Sequence, residues 1–214
     1  MQTLEETLEP FFIKRFPTSG RFGMPLVCRQ DIMLEDFKLI RFSSIVKAET
    51  QDTDATVHFF EYDNRFDEVW KKPEAYVGEL GQYRQVMTPD FSLYSGIVPA
   101  LQIFNTFKNR WCGALWQSMG LTVIPSVSWN DKSSFDFCFD GIEEGAVVAV
   151  STLGTESHRW SFMRGFQAMS ERIHPRIVVC YGEAYDEMYE YADFIEVPYQ
   201  RTRRVAQATR VVGA

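Results

Sequence analysis

The sequence is short of the residues that mark secreted, membrane-spanning, zinc-dependent or generally basic proteins. Its four cysteines, Cys28, Cys112, Cys138 and Cys180, stand far apart among 214 residues, with no CxxC pair and no zinc-ligand spacing. That pattern predicts free thiols rather than a disulfide framework. The three histidines, His58, His158 and His174, are isolated, so neither a zinc motif nor a Cys–His nucleophile is supported. GxSxG, Walker GK[ST] and GxGxxG strings are missing as well, and nothing points to a metal or to a particular cofactor. No stretch approaches the roughly 18 consecutive apolar residues of a membrane span. The opening MQTLEETLEPFF lacks the basic start and apolar centre of a secretory signal. A cytoplasmic protein without a membrane partner is the expectation. Positive charge is scarce too: 22 Lys and Arg against 29 Asp and Glu give a net charge of −7. Indiscriminate nucleic-acid binding, which draws on phosphate neutralisation by Lys and Arg, is therefore disfavoured. One local exception is the tail QRTRRVAQATR, where Arg201, Arg203, Arg204 and Arg210 occur with no acid between them. They are candidates for weak nucleic-acid contact, or else belong to a solvated terminus.

What is present is a chain with a large apolar content, 45% hydrophobic and 15% aromatic, long enough for one ordinary domain with a substantial core. Residues 1–35 mix aromatics, glycines and basic residues and read as an irregular N-terminal arm. Residues 36–200 read as a single α/β domain, and residues 201–214 as a basic C-terminal tail following the last strand-like run near Pro198. FKLIRFSSIV (37–46) and ATVHFFEY (55–62) are β-rich runs that look like paired strands. Asp63 offers a helix cap before RFDEVW, and Pro73 opens a second short helix. From residue 83 the pattern is regular. RQVMTP, LTVI (121–124), AVVAV (146–150), RIVVC (176–180) and FIEV (194–197) alternate with helix-like segments near 99–119, 157–173 and 185–192. The apolar runs lack polar alternation, as expected of strands covered on both faces. Repeated strand–helix–strand order implies right-handed crossovers and a mostly parallel sheet with flanking helices, open or barrel-like.

In parallel α/β folds, ligands and chemistry gather outside the carboxyl ends of the strands, where loops converge and helix N-termini offer free N–H groups. The polar strings at those ends are TPDFS (88–92), VSWND (127–131), STLGT (151–155) and CYGE (180–183). Asp90 and Asp131 are the candidate catalytic carboxylates, as acid, base or metal ligand; alternatively, each is a turn or cap residue. Ser92 follows Asp90 closely. Trp129 is placed to stack on a planar ligand, or else to fill the core. Ser151 and Thr152, with Gly154 and the amides of the following helix, resemble a generic anion site, although any strand-to-helix turn favours the same residues. Arg110 on the long helix and Tyr181 after a strand complete the candidate ligand-binding set. Asp90, Trp129, Asp131, Ser151 and Tyr181 are expected to converge on one side of the sheet.

The strings FEYDNRFDEVWKKP, TPDFSLY, QIFN, GLTVIPSVSW, SFDFCFDGI, VAVSTLG and CYGE, in that order over roughly residues 22–190, resemble an uncharacterised family of bacterial phages, plasmids and other mobile elements. That family is a domain of unknown function. Some members carry a label associating them with rolling-circle replication, whose chemistry needs a His-hydrophobic-His motif beside a nucleophilic Tyr; this chain has neither. Three expectations follow. The first is a mobile-element accessory protein that binds a small phosphate-bearing, nucleotide-like ligand at the strand ends, with catalysis open. The others are an interaction protein that blocks a host or defence protein, and a nuclease or replication-associated nucleic-acid binder.

Overall fold

The computed structural model describes residues 15–47, 52–199 and 206–212. Two short strands in the arm, β1 (Thr18–Ser19) and β2 (Met24–Pro25), pair antiparallel. The arm is then pinned to the domain by the Val27 amide, which donates to the Gly141 carbonyl at 2.9 Å. The core strands follow: β3 (Lys38–Arg41), β4 (Thr56–His58), β5 (Gln85–Met87), β6 (Val123–Ile124), β7 (Val147–Ser151), β8 (Ile177–Tyr181) and β9 (Phe194–Val197). Every hydrogen-bonded neighbour pair among them is parallel. The two runs expected to pair near the start do so in register, Leu39 with Thr56 and Arg41 with His58. The first of them is a strand only to Arg41, after which Phe42–Val46 turns into the short helix α1.

Two seams join the strands into a ring. At one, β6 and β7 meet through the Ser126–Ala149 bridge, with Val127 N–H donating to Ala149 C=O at 2.8 Å and Ala149 N–H to Pro125 C=O at 2.9 Å. The other is closed by the C-terminal chain. β10 (Ala206–Gln207) pairs antiparallel with β3, and β11 (Arg210–Val212) pairs antiparallel with β9. Residues expected to trail as a basic tail thus occupy the gap between the first and last parallel strands. Ala206 is buried there. Arg201, Arg203 and Arg204 lie outside the described residues. The sheet is therefore barrel-like, the second of the two forms the sequence left open.

Strand alternation sorts the apolar residues into three cores. Leu39, Met87, Ile124, Val147, Ala149, Val179, Ile195 and Val197 fill the barrel. Ile40, Val57, Val86 and Val123 face outward onto Cys112 and Trp116 of the long helix α4 (Pro99–Ser118). Val148, Val150, Val178, Cys180 and Phe194 face outward onto Phe162, Phe166, Met169 and Ile173 of α5 (Arg159–Ile173). Between α1 and α4 lie two further short helices, α2 (Asp67–Lys71) and α3 (Val77–Leu80).

Pro99 opens α4 as the sequence suggests, and of the apolar residues that recur along it at three- and four-residue steps Trp111 and Leu115 are buried and Phe107 half-buried, but the two ends depart from that face. Leu101, Phe104 and Met119 are exposed, while Gln102, Thr106, Asn109 and Arg110 are buried. The reason lies in the strand-end loops beneath, whose carbonyls need donors. Asn109 Nδ2 donates to the Pro89 carbonyl at 2.8 Å, and Arg110 donates to the carbonyls of Asp140 (2.9 Å), Ser126 (3.1 Å) and Cys138 (2.7 Å).

Candidate functional site

Because β3 to β9 run the same way, their carboxyl ends share one mouth of the ring, and a cleft of about 680 Å³ opens there. Arg41 contributes from the end of β3, Phe60, Glu61 and Tyr62 from the chain after β4, and Asp90 and Ser92 from the chain after β5. Ser151, Leu153 and Gly154 follow β7, and Tyr199 follows β9. Ser43 and Arg65 complete the lining.

The floor is the last inward-facing layer of the barrel. Tyr181 is buried at 1% exposure, its ring stacked on Phe60 at 5.7 Å and resting on His58 at 4.6 Å and Tyr199 at 5.9 Å. Its hydroxyl is hydrogen-bonded to the Arg41 guanidinium. Burial works against the Arg41 charge, but Tyr181, Glu61 and Tyr199 outweigh it and hold the guanidinium above its ordinary value. His58 is fully buried, and desolvation together with Arg41 pushes it down to about 3, so it is a neutral imidazole. Its Nδ1 accepts the Phe60 amide at 3.2 Å, which leaves the proton on the other ring nitrogen.

Three carboxylates stand at this mouth in different surroundings. Glu61 accepts the amide and hydroxyl of Ser43. Asp63, expected as a helix cap, instead accepts the Ser92 amide at 3.2 Å and the Ser92 hydroxyl at 2.7 Å. Asp90 is half-buried, yet its Oδ1 is sealed from water and has no hydrogen-bond partner among the described residues. Desolvation, reinforced by the neighbouring Asp63 and opposed by a Ser128 hydrogen bond and the more remote Arg110, raises its carboxyl to about 7. A carboxyl poised near neutrality in a cleft is suited to exchange a proton with whatever binds there.

Of the residues singled out from sequence, Asp90, Ser92 and Ser151 line the cleft, and Tyr181 is buried behind the lining rings of Phe60 and Tyr199. Ser151 spends its hydroxyl on the Tyr181 carbonyl at 3.1 Å. Thr152 is buried against Gly182, where a Cβ would approach its Oγ1 to 2.3 Å at a φ of +110°. That contact accounts for the glycine of CYGE. The expected convergence is incomplete. Trp129 lies instead against Phe162 at 5.0 Å and Phe139 at 6.1 Å, over Gly165 of α5, because this helix covers the chain after β6. Asp131 is exposed and caps a 3₁₀ turn at Lys132–Asp136, where the Ser133 hydroxyl and amide hold its carboxyl below the usual range. Arg110 is 2% exposed and committed to loop carbonyls; burial lowers it to about 10, against the pull of Asp140 and Asp90. The anion site expected at STLGT also differs. Its Leu153 amide donates to Ser151 Oγ at 3.2 Å, and α5 begins only at Arg159 after an intervening 3₁₀ turn.

Arg41, Ser43, Phe60, Glu61, Tyr62, Asp63, Arg65 and Tyr199 were not among the sequence candidates. The same strand-end rule, applied to the ends of KLIR and TVHFFEYDNR, marks most of them.

Residues 16–199 match the family described as Domain of unknown function (DUF4417). The Gene 1 protein of Mycobacterium phage D29 is 39% identical over 145 residues, covering 66% of this chain and 52% of the phage protein. The Gene 1 protein of Mycobacterium phage L5 is 40% identical over 130 residues, covering 59% of this chain and 57% of the phage protein. The matched regions thus span little more than half the length of these relatives. No solved structure matches the chain.

Proposed function

The chain belongs to the phage-associated family of unknown function DUF4417, and we propose that it is an accessory protein that holds a small phosphate-bearing, nucleotide-like ligand in the cleft at the barrel mouth. One observation carries this reading: Arg41 and Arg65 share a cleft of about 680 Å³ with the exposed rings of Tyr62 and Tyr199. A guanidinium presents several N–H donors in a fork that suits phosphate oxygens, and a tyrosine face suits a planar base. The volume falls in the range of small-molecule sites. Arg41 lies over the Tyr199 ring at 5.8 Å and is held from below by Tyr181, so its charge is oriented before any ligand arrives. Asp90 supplies a proton-exchanging group beside the ligand, which leaves room for turnover.

The cleft ranks this reading above that of a host-protein blocker, for which the described surface offers exposed apolar side chains such as Met33, Tyr94, Leu101 and Trp160. Isothermal titration of the full chain with inorganic phosphate and a panel of nucleoside 5′-phosphates tests it. Binding by at least one nucleotide is expected, weakened by about tenfold or more in Arg41→Ala through loss of a charge-assisted contact. Failure of the whole panel to bind, or equal affinity in Arg41→Ala and Arg65→Ala, would reject the reading.

A further inference from the structure

The carboxylates at the cleft are not equivalent. Asp63 has both oxygens filled by Ser92, and Glu61 accepts from Ser43 opposite Arg41. Asp90 alone among these three keeps an oxygen that is buried and without a donor among the described residues. An ionised carboxylate would leave that acceptor desolvated and charged, whereas a protonated one relieves the charge and turns the group into a donor. Resting on the ligand reading given above, we propose that Asp90 meets the bound anion as a neutral carboxylic acid, so that anion binding draws up to one proton from solvent into the cleft, the more so the more alkaline the solution.

Its surroundings favour this. Asp63 presses on Asp90 from the 3₁₀ turn at Asp63–Arg65, and the countercharge of Arg110 reaches it from α4 only as the weakest of the influences upon it. Ser128, after β6, donates one hydrogen bond. Across the cleft stand Arg41, Arg65, Glu61 and Tyr199, and His58 beneath is held neutral near 3. A second negative charge arriving beside an ionised Asp90 would be repelled strongly at cleft distances, and the repulsion vanishes once the carboxyl is protonated. Asp90, already raised to about 7 in the empty cleft, rises further when the anion binds.

Sulfate is the probe, since it carries two negative charges throughout the range and contributes no titration of its own. Isothermal titration is run on the full chain and on Asp90→Asn at about pH 6 and about pH 8.5, and near pH 7 in two buffers of different ionisation enthalpy. The wild-type chain is expected to bind sulfate on the order of tenfold more tightly at the lower pH, with a buffer-dependent heat reporting proton uptake. Asp90→Asn should bind with nearly the same affinity at both values and take up no proton at this site. Arg65→Ala should bind more weakly by a similar factor at both. A pH-independent affinity in the wild-type chain, or an unchanged slope in Asp90→Asn, overturns the proton coupling while leaving the ligand site in place. If neither protein binds sulfate or any nucleotide at either pH, the site and the coupling fall together.

Discussion

The two halves of the barrel are built differently. Between β7, β8 and β9 the ladders run for four or five residues, and the barrel-facing positions Val147, Ala149, Val179, Ile195 and Val197 are apolar. Between β3, β4, β5 and β6 the ladders run for two or three residues, and buried Thr56, His58, Gln85, Thr88 and Ser126 stand beside the aliphatic Leu39, Met87 and Ile124. There the stabilising contacts are polar: Gln85 Nε2 donates to Thr56 Oγ1 at 3.1 Å, and the Thr88 and Ser126 hydroxyls meet at 3.1 Å. The cleft takes eight of its lining residues, Arg41, Ser43, Phe60, Glu61, Tyr62, Arg65, Asp90 and Ser92, from the polar half. An apolar scaffold tolerates little orientation error in shape but sets no direction for polar groups, whereas a hydrogen-bonded network fixes both. The polar half directs groups at a ligand, and the apolar half supplies cohesion.

Val179→Asp should have the largest effect, a loss of about 4 kcal/mol or more from burying a carboxylate with no partner, read as failure to fold or a collapsed melting transition. A folded Val179→Asp protein would break the contrast at once. Arg110→Ala removes the donor that ties the seam between the halves and strands the carbonyls of Ser126, Cys138 and Asp140. A loss of about 3–5 kcal/mol in urea unfolding is expected. Should it cost under about 1 kcal/mol, the polar network would be ornamental. Gly165→Ala on the apolar side puts a methyl 2.1 Å from Trp129 atoms. It should cost about 1–3 kcal/mol through overpacking, and Trp129 fluorescence should shift with it. The last change has the opposite sign. Asp90 is raised in the folded protein to about 7, so the stability linked to its proton is complete below about pH 4 and is lost as pH rises through about 7. Asp90→Asn should therefore stabilise the chain by up to about 4 kcal/mol at about pH 8.5 and not at about pH 4, as melting at the two values will show.

The apolar half was the more legible in the sequence. AVVAV and RIVVC are rich in β-branched residues without polar alternation, and they became β7 and β8 almost to the residue. The polar half was harder because its helix buries Gln102, Thr106 and Asn109 where apolar periodicity pointed to Leu101 and Phe104. Periodicity registers transfer from water, and it is blind to a face buried for its hydrogen bonds. At the site, Asp90, Ser92 and Ser151 followed from strand ends alone. Trp129 and Asp131 did not reach it, since the chain after β6 turns beneath α5 rather than over the mouth. Closure by the last strand was invisible, because Ala206–Gln207 and Arg210–Val212 are too short to show alternation.

That closing strand also orders events in time. It switches partners within two residues, with the Ala208 amide donating to Phe37 C=O and the Thr209 amide to Glu196 C=O, both at 2.9 Å. Residue 206 therefore meets residue 39, a partner translated long before it. Until the end of the strand clears the exit tunnel, β3 and β9 are both open edges, with unpaired amides and carbonyls and an unsealed apolar interior between them. The ring cannot shut before the residues of β10 and β11 have been made, and the nascent chain spends that interval as a template that other extended segments can join.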